Sequence, residues 1–404
     1  MGDFHQNGVI TTLHQIGNRK IEDIELELTE FSNQFPISLI LPSLFSEFEK
    51  PAMHEIIDQL RKVPYLQQII MGLDNASERE FQIVKEYMSQ LPQHHRILWN
   101  DGPRMQKIIQ LLEEQSLPIG ERGKGLNVWL CLGYFLASAK SDVVAIHDCD
   151  IKTYDRNMLA RLIFPVANPN FPFRFSKGYY YRLGENVMNG RVTRLLITPL
   201  IIALIKIFGN IGLLSYLQSF RYILSGEIAM SADLCRTIRL QSDWGLEVGM
   251  LFEIHRNLSQ SRICQVDIAE AYDHKHQIIS AENPSKGLSR MSFDIIKTLF
   301  NKLTAEGQVF NKSLIHSIKS TYYRIALDIV EQYYADSVIN GLKTDRHKEE
   351  SIVELFAKNI IRAGNEFMEK SLEIPYMPAW KRVISAIPSI LEQFNELVEL
   401  DNRL

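Results

Sequence analysis

The sequence predicts an α/β fold built on a parallel, Rossmann-like sheet, followed by a mostly helical C-terminal region. Three observations lead to this prediction. Apolar runs typical of strands alternate with segments of helical periodicity through the first part of the chain. The run that begins at Val143 ends in acidic residues, and ligands bind at the carboxyl ends of strands in such sheets. From about Ser289 the apolar spacing is helical almost to the end of the chain.

The first half of the chain supplies the strands and helices of the predicted sheet in alternating order. The strand candidates are residues 35–44, 66–74, 95–101 and 142–150. Helical spacing fills the intervals at residues 56–63, 78–88, 105–115 and 127–138. Strands that alternate with helices in this way form βαβ units, which place the strands parallel to one another.

Beyond about residue 155 the pattern is less regular. Residues 173–183 indicate one or two aromatic-rich antiparallel strands, 194–260 are largely helical, and 261–274 are a late strand that runs into a loop. A turn at Asn283-Pro284 follows. The predicted organisation is therefore a lead-in over 1–33, an α/β domain over 34–285 and a helical C-terminal region over 286–404.

Composition limits the classes of function. The formal net charge is -4 and the pI is about 6.3, which gives no broad basic field, so no nucleic-acid partner is expected. The four cysteines form no C-x-x-C pair, which argues against a zinc site or a disulfide framework. The N-terminal residues lack the apolar core of a secretory signal. We therefore expect reduced, mostly buried thiols in a cytoplasmic protein.

Residues 195–218 are strongly apolar and long enough to cross a bilayer. Polar and helix-breaking residues interrupt them, however: Pro199, Lys206, Gly209, Asn210 and Gly212. We therefore predict two short helices around a Gly-Asn turn, buried or used in a homodimer contact, and no stable membrane span.

The tetrapeptide His147-Asp148-Cys149-Asp150 follows the predicted strand at Val143. Two carboxylates at positions i and i+2 can share Mg²⁺ or Mn²⁺ with a nucleotide diphosphate, because both ions prefer oxygen ligands. A polar strand-to-loop turn is the alternative. The D-x-D-x-T pattern of haloacid-dehalogenase-type phosphatases fits poorly, because Lys152 occupies its fifth position.

Two further segments carry residues suited to phosphate or metal. Lys124 lies between two glycines at the start of a predicted helix, where the backbone can approach a phosphate closely. His274 and His276 follow the late strand, and such a pair can supply a metal ligand and a second polar contact. A loop lysine and solvated surface histidines are the alternatives.

Two more residues suit a small anionic ligand, with a surface arginine in a turn as the alternative, and a third residue is a carboxylate of open role. Arg191 and Thr193 offer a guanidinium and a hydroxyl that fit a carboxylate or a phosphate. Glu247 is a carboxylate among apolar residues, which either bonds a neighbouring structural group or has a perturbed pKa that serves chemistry.

The order of these motifs resembles that of the glucosyl-3-phosphoglycerate synthases, retaining GT-A glycosyltransferases of family 81. The resemblance extends from about Pro36 to His276. It rests on L-P-S-L around Pro42, G-K-G at 123–125, the Asp148/Asp150 pair, Gly190-R-V-T with Pro199 behind it, Ser225-G-E, Gly245-L-E-V-G-M-L, and Gln265-V with the histidine loop.

The resemblance implies a GT-A nucleotide-sugar-binding fold and a metal-dependent transfer of glucose from UDP- or GDP-glucose to 3-phosphoglycerate. Its implied metal ligands, for Mg²⁺ or Mn²⁺, are Asp148, Asp150 and His274. Its implied donor contacts are Pro42, Leu44, Glu47, Lys124, Asp148 and Cys149. Its implied acceptor contacts are Arg191, Thr193 and His276. Its implied catalytic residues are Asp150, Glu247 and Lys124.

The chain departs from the family pattern at two places. Residues 42–47 read P-S-L-F-S-E where the family shows P-A-L-N-E-E, and His276 stands where the family has an asparagine that contacts the acceptor. These differences leave free glycerate open as the acceptor. The apolar residues 195–218 leave a polyprenyl-phosphate acceptor open, and a catalytically silent sugar-nucleotide-binding scaffold is the alternative from another class. The base and the sugar of the donor also stay open.

Overall fold

The computed structural model describes residue 6 and residues 8–273, 287–369 and 376–403. The strands are Thr11–Leu13 (β1), Ile37–Leu44 (β2), Leu66–Asp74 (β3), His95–Trp99 (β4), Val143–Ile146 (β5), Phe175–Tyr180 (β6), Leu183–Gly184 (β7), Val187–Met188 (β8), Ile228–Ser231 (β9), Leu240–Gln241 (β10), Ile263–Ala269 (β11) and Tyr376–Met377 (β12).

The helices follow the same chain order. They are Ile21–Ser32 (α1), Pro51–Leu60 (α2), Glu78–Met88 (α3), Pro103–Glu114 (α4), Lys124–Ser138 (α5), Arg156–Ala167 (α6), Thr198–Phe208 (α7), Gly212–Gln218 (α8), Ala232–Thr237 (α9), Leu246–Asn257 (α10), Gly287–Ala305 (α11), Lys312–Ile339 (α12), Arg346–Glu369 (α13), Trp380–Ala386 (α14) and Ile390–Asn402 (α15).

A central eight-stranded sheet has the order β1-β11-β6-β9-β5-β2-β3-β4. All its neighbours are parallel except β9, which runs antiparallel to both β5 and β6. The four predicted strands at the start of the chain form β2 to β5, so the predicted α/β fold is confirmed. Two strands of this sheet were not predicted: β1, and β9 within the segment predicted to be largely helical.

Apolar side chains alternate along the central strands and bury both faces of the sheet. In β2, Ile40 joins the core on one face, whereas Leu39 and Leu41 join the core on the other. We call the core with Ile40 the first core and the core with Leu39 and Leu41 the second core. The second core holds α1, α2, α3 and α6. The first core holds α5 and continues into the C-terminal helices, where Trp129 of α5 stacks on Trp380 of α14 with ring centroids 4.4 Å apart.

Helix α15 covers the edge strand β4. The Asn402 side chain accepts a hydrogen bond from the Ile97 N–H (3.0 Å) and donates one to the Ile97 carbonyl (2.9 Å), as a neighbouring strand would. Beside it, Arg96 donates to both carboxylate oxygens of Glu399, the shortest contact being 2.7 Å. The helix therefore satisfies backbone groups that would otherwise form an open sheet edge.

The apolar segment 195–218 forms two helices, as predicted. A π-helical turn over Thr193–Ile197 leads into α7, Pro199 occupies the first turn of α7, and Gly209 (φ 78°) ends it before α8. Both helices contribute their buried side chains to the first core. Among the described helices, none combines the length and the apolar character that crossing a membrane requires.

Candidate active site

A cleft of about 580 Å³ opens where the carboxyl ends of β2, β3 and β5 meet. In the described part of the chain, every site residue predicted from sequence lines this cleft: Pro42, Leu44, Glu47, Lys124, Asp148, Cys149, Asp150, Arg191, Thr193 and Glu247. The predicted third metal ligand His274 and the predicted acceptor contact His276 lie outside the described residues. The sheet thus brings together residues that are up to about 200 positions apart in the sequence.

One group of residues in the cleft, called the carboxylate end below, consists of carboxylates around a single lysine. Lys124 is the first residue of α5, and its Nζ lies 2.7 Å from Asp148 Oδ1 and 3.1 Å from Glu247 Oε1. Gly226 permits this approach, because a Cβ there would lie 2.8 Å from both Asp148 Oδ2 and Lys124 Nζ. Burial alone would lower the pKa of Lys124, but Asp148 and Glu247 raise it well above its usual value. The ammonium therefore remains charged at neutral pH.

Asp150 lies beside Asp148, and the positive charge of Lys124 does not offset the repulsion between the two carboxylates. Burial, and then the negative charge of Asp148, raise the pKa of Asp150 to about 7, although Lys124 opposes the shift. Two carboxylates that resist joint ionisation suit a divalent cation, which would favour the charged form of both. Within the described residues, however, no group of three or more His, Cys, Asp or Glu side chains forms a complete metal site. The pair therefore fits Mg²⁺ or Mn²⁺ as part of a ligand set.

The other predicted residues of this end differ in how far they reach the cleft. Leu44 is 41% exposed, whereas Cys149 is 4% exposed and packs in the second core, so little of its side chain faces a ligand. Glu47 is 7% exposed and its Oε1 lies 2.5 Å from Lys50 Nζ, so part of its charge is already neutralised.

A buried network under the carboxylates was not predicted. Glu227 is fully buried at the start of β9; its Oε1 accepts hydrogen bonds from the Asp148 N–H (3.2 Å) and from the Tyr272 hydroxyl (2.7 Å). Its Oε2 lies 2.6 Å from Nδ1 of the buried His147. Glu227 therefore connects Asp148 to Tyr272, which precedes the predicted ligand His274 by two positions in the sequence. The Ser225-Gly226-Glu227 motif was the one sequence signal for this residue.

A buried lysine interacts with the charged residues of the cleft. Lys177 of β6 is 2% exposed and donates a hydrogen bond to the Ser225 carbonyl (2.6 Å). Burial lowers its pKa to about 7, with Lys124 adding to the shift and Glu247 opposing it. No periodicity in the sequence distinguishes this lysine from a surface one.

A second group of residues in the cleft, called the cationic end below, contains Arg182, Arg191 and Thr193. Arg191 and Thr193 follow Gly190, whose φ of 72° allows the chain to turn into the cleft. Arg182, which was not predicted, also lines the cleft; it donates to the Tyr222 hydroxyl (3.0 Å) and lies over the Tyr272 ring. Among the described residues, Arg182 Nε and Thr193 Oγ1 are buried without a hydrogen-bond partner. Such atoms suit an anionic ligand, because unpaired buried donors are costly.

Two curated proteins are similar to this chain over nearly its full length. It is 46% identical to the glucosyl-3-phosphoglycerate synthase of Persephonella marina, over 100% of this chain and 99% of that protein. It is 37% identical to the same enzyme of Methanococcoides burtonii, over 98% of this chain and 96% of that protein. The chain belongs to the glucosyl-3-phosphoglycerate synthase family. No model of a known protein family matches it.

Solved structures similar to this chain include complexes of the glucosyl-3-phosphoglycerate synthase of Mycobacterium tuberculosis. A complex of that protein with Mn²⁺, UDP and glucosyl-3-phosphoglycerate has a TM-score of 0.53 at 22% identity and covers 72% of this chain and 86% of its own. A complex with Mn²⁺, UDP-glucose and phosphoglyceric acid has a TM-score of 0.51. These structures confirm the predicted fold. Membership of the glucosyl-3-phosphoglycerate synthase family makes the chain a glycosyltransferase, as its motif order indicated.

Proposed function

We propose that this chain transfers glucose from a nucleotide-glucose donor to 3-phosphoglycerate in a reaction that depends on Mg²⁺ or Mn²⁺. The observation that carries the proposal is the division of charge within one cleft. Carboxylates group around Lys124, and Arg182, Arg191 and Thr193 form a second, cationic group beside the Asn189-Gly190 turn; both groups line the cleft. A metal-bound diphosphate suits the first end and a small anionic acceptor suits the second. Relatives that align over the whole chain carry the name of this reaction.

Asp148 and Asp150 would hold the divalent cation, with His274 as the proposed third protein ligand. When bound, the cation supplies positive charge that stabilises the departing nucleotide diphosphate. Lys124 places a second positive charge at the same end of the cleft, and the backbone N–H groups at the start of α5 lie beside it. This preorganised charge is the kind of stabilisation that usually contributes most to catalysis.

The acceptor would bind at the cationic end. Arg191 and Arg182 would pair with its phosphate and carboxylate, Thr193 Oγ1 would donate a further hydrogen bond, and His276 would add a contact from the loop. Two anionic groups in one small molecule match two guanidinium groups, so 3-phosphoglycerate suits this end better than free glycerate.

We propose that the transfer retains the configuration at the anomeric carbon. Glu247 is a carboxylate that lines the cleft, but its Oε1 lies 3.1 Å from Lys124 Nζ. An ion-paired carboxylate is a weaker nucleophile, so we expect front-face attack by the acceptor hydroxyl, with Glu247 orienting that hydroxyl. Pro42, Leu44 and Glu47 would border the nucleoside. NMR of the product tests the stereochemistry, and a β-linked glucoside formed from the α-linked donor would contradict it.

Nucleotide release by the purified chain is the direct test of function. UDP-glucose, GDP-glucose and GDP-mannose are each combined with 3-phosphoglycerate or glycerate, in Mg²⁺, Mn²⁺ or EDTA. We expect release from a nucleotide-glucose that requires both the divalent cation and 3-phosphoglycerate. Turnover with glycerate alone would correct the acceptor, and absence of acceptor-dependent release would contradict the proposal.

We further propose a homodimer in the cytoplasm. The four cysteines are all free and buried, which suits a reducing compartment. Near the end of α12, Val338 and Ile339 are 57% and 84% exposed, which suits a contact between two copies. Light scattering after size-exclusion chromatography tests the dimer, and fractionation of the native cells tests the location.

A further inference from the structure

Two of the residues proposed to bind the acceptor, Arg191 and Thr193, lie in a segment that belongs to no strand of the central sheet. This acceptor segment, residues 186–195, contains β8, the turn at Asn189-Gly190 and the beginning of the π-helical turn Thr193–Ile197. A π-helical turn is wider than an α-helical one and leaves backbone groups in need of other partners. The position of Arg191 and Thr193 therefore depends on what holds this segment from outside.

Arg194 links the acceptor segment to the C-terminal helices. It is 7% exposed, and its guanidinium donates to the Asn189 carbonyl (2.9 Å) and to the Met188 carbonyl (3.0 Å), the two residues that precede Gly190. The same guanidinium lies 2.6 Å from Glu349 Oε1 of α13. One side chain thus joins the backbone of the turn to a carboxylate 155 positions later in the sequence.

Three further contacts from the same region support the acceptor segment. The buried Tyr322 hydroxyl of α12 donates to the Leu195 carbonyl in the π-helical turn (2.6 Å). The Lys343 N–H, between α12 and α13, donates to the Asn186 carbonyl (2.7 Å). The Tyr333 ring lies 4.6 Å from the Arg194 guanidinium. Together these contacts fix both ends of the segment and its middle.

Glu349 also separates the roles of two neighbouring arginines. Burial, and then the charge of Arg194, lower the pKa of Arg191, whereas Glu349 raises it. Without Glu349, Arg194 would repel Arg191 and would be available to bind an anion itself. With Glu349 in place, the positive charge of Arg194 is neutralised and Arg191 remains the cation that faces the cleft.

We infer that Arg194 and Glu349 are positioning residues through which the C-terminal helices set the affinity for the acceptor. The inference rests on the proposed function, since it assumes that Arg191 and Thr193 bind the acceptor anion. It assigns to the C-terminal region a part in acceptor binding.

The double variant Arg194→Met/Glu349→Gln tests the inference in the full-length chain, because removing both charges leaves no buried charge unpaired. We expect the KM for 3-phosphoglycerate to rise about tenfold, since a small displacement of a binding group costs one to two orders of magnitude. The KM for the donor and kcat at saturating acceptor should change less than about twofold, because the carboxylate end is untouched.

The matched control is Arg96→Met/Glu399→Gln, which removes the ion pair that joins α15 to β4, away from the acceptor segment. It should lower the melting temperature and leave the KM for the acceptor unchanged. Tyr322→Phe removes one hydroxyl from the support of the π-helical turn and should raise the acceptor KM about threefold, as expected for one buried hydrogen bond.

The outcomes separate the inference from the proposed function. A wild-type chain without acceptor-dependent turnover would overturn both. An active wild type with an unchanged acceptor KM in the folded double variant would overturn the inference alone, as would an equal rise in the control. Should the double variant fail to fold, an unchanged acceptor KM in Tyr322→Phe would overturn it.

Discussion

The two ends of the cleft are built in different ways. The carboxylate end consists of residues at strand and helix termini of the sheet region, with Asp148 and Asp150 directly after β5 and Lys124 at the start of α5. The cationic end depends on side chains that follow it by 127 to 155 positions, Tyr322 and Glu349. On the proposed assignment, the sheet itself positions the donor residues, whereas contacts from the C-terminal helices hold Arg191 and Thr193 in place for the acceptor. Variants at each end should therefore affect different kinetic constants.

The largest expected effect is at the carboxylate end. Asp150→Asn keeps the shape of the side chain but removes a charge proposed to bind the cation, so kcat/KM should fall about 10³-fold, equivalent to about 4 kcal/mol. Titration with Mn²⁺, followed by electron paramagnetic resonance, should show weakened binding as well. The control is Asp58→Asn on the exposed face of α2. Undiminished Mn²⁺ affinity in Asp150→Asn would contradict the assignment.

At the cationic end, Arg191→Met should raise the KM for 3-phosphoglycerate about 100-fold, because removing one member of a buried charge pair costs about 2–5 kcal/mol. The donor KM should stay near its wild-type value. Initial rates at varied acceptor and saturating donor measure the change. A rise confined to the donor KM would mean that Arg191 serves the nucleotide and that the two ends were wrongly assigned.

Glu227→Gln should have a smaller effect on the carboxylate end, because Glu227 orients the backbone at Asp148 and is not itself proposed to bind the cation. We expect Mn²⁺ affinity to fall about tenfold, the lower range for residues that orient metal ligands. Calorimetric titration measures it directly, and the acceptor KM serves as the internal control. Equal losses at both ends would indicate a general loss of structure.

The last expected effect concerns stability rather than kinetics. Because burial lowers the pKa of Lys177 to about 7, the unfolded chain binds more protons than the folded chain from about pH 7 up to the ordinary lysine pKa of 10.5. The free energy of unfolding should therefore rise with pH across that window, and Lys177→Met should flatten the rise. Denaturant unfolding at pH 7.5 and pH 9.5 measures both slopes. Parallel slopes would contradict a lowered pKa for Lys177. The charged groups that act on Lys177 are Glu247, Lys124, Glu227 and Asp148.

The carboxylate end could be predicted from the sequence because its signals are local. A buried strand followed at once by Asp148 and Asp150, and a Gly-Lys-Gly before a helix at Lys124, place their side chains at the same edge of any parallel sheet. The predicted strands β2 to β5 needed no long-range information either, since each apolar run is bounded by turns and helical spacing. The cleft therefore follows from the order of elements alone.

The rest of the fold and of the candidate site depends on long-range contacts that the spacing of residues in the sequence does not reveal. Strand β9 has four residues and lies in a segment predicted to be largely helical. The Ser225-Gly226-Glu227 motif marked Glu227, but nothing in the sequence placed that residue beneath Asp148. Strand β1 has three residues and is defined by its parallel pairing with β11, about 250 positions later. Likewise, the sequence gives no sign that Arg194 differs from an ordinary helical arginine. Only the fold shows that it pairs with Glu349 and donates to the Asn189 and Met188 carbonyls. The roles of His274 and His276 stay predictions.

The cover that α15 places on β4 has a consequence for synthesis. Ile97 and the Asn402 amide that pairs with it are 305 positions apart, so β4 is synthesised long before the helix α15 that covers it. Until then β4 presents free N–H and C=O groups that can recruit a strand from another nascent chain. A chaperone that shields this edge during translation would raise the yield of native protein, most visibly for Asn402→Ala.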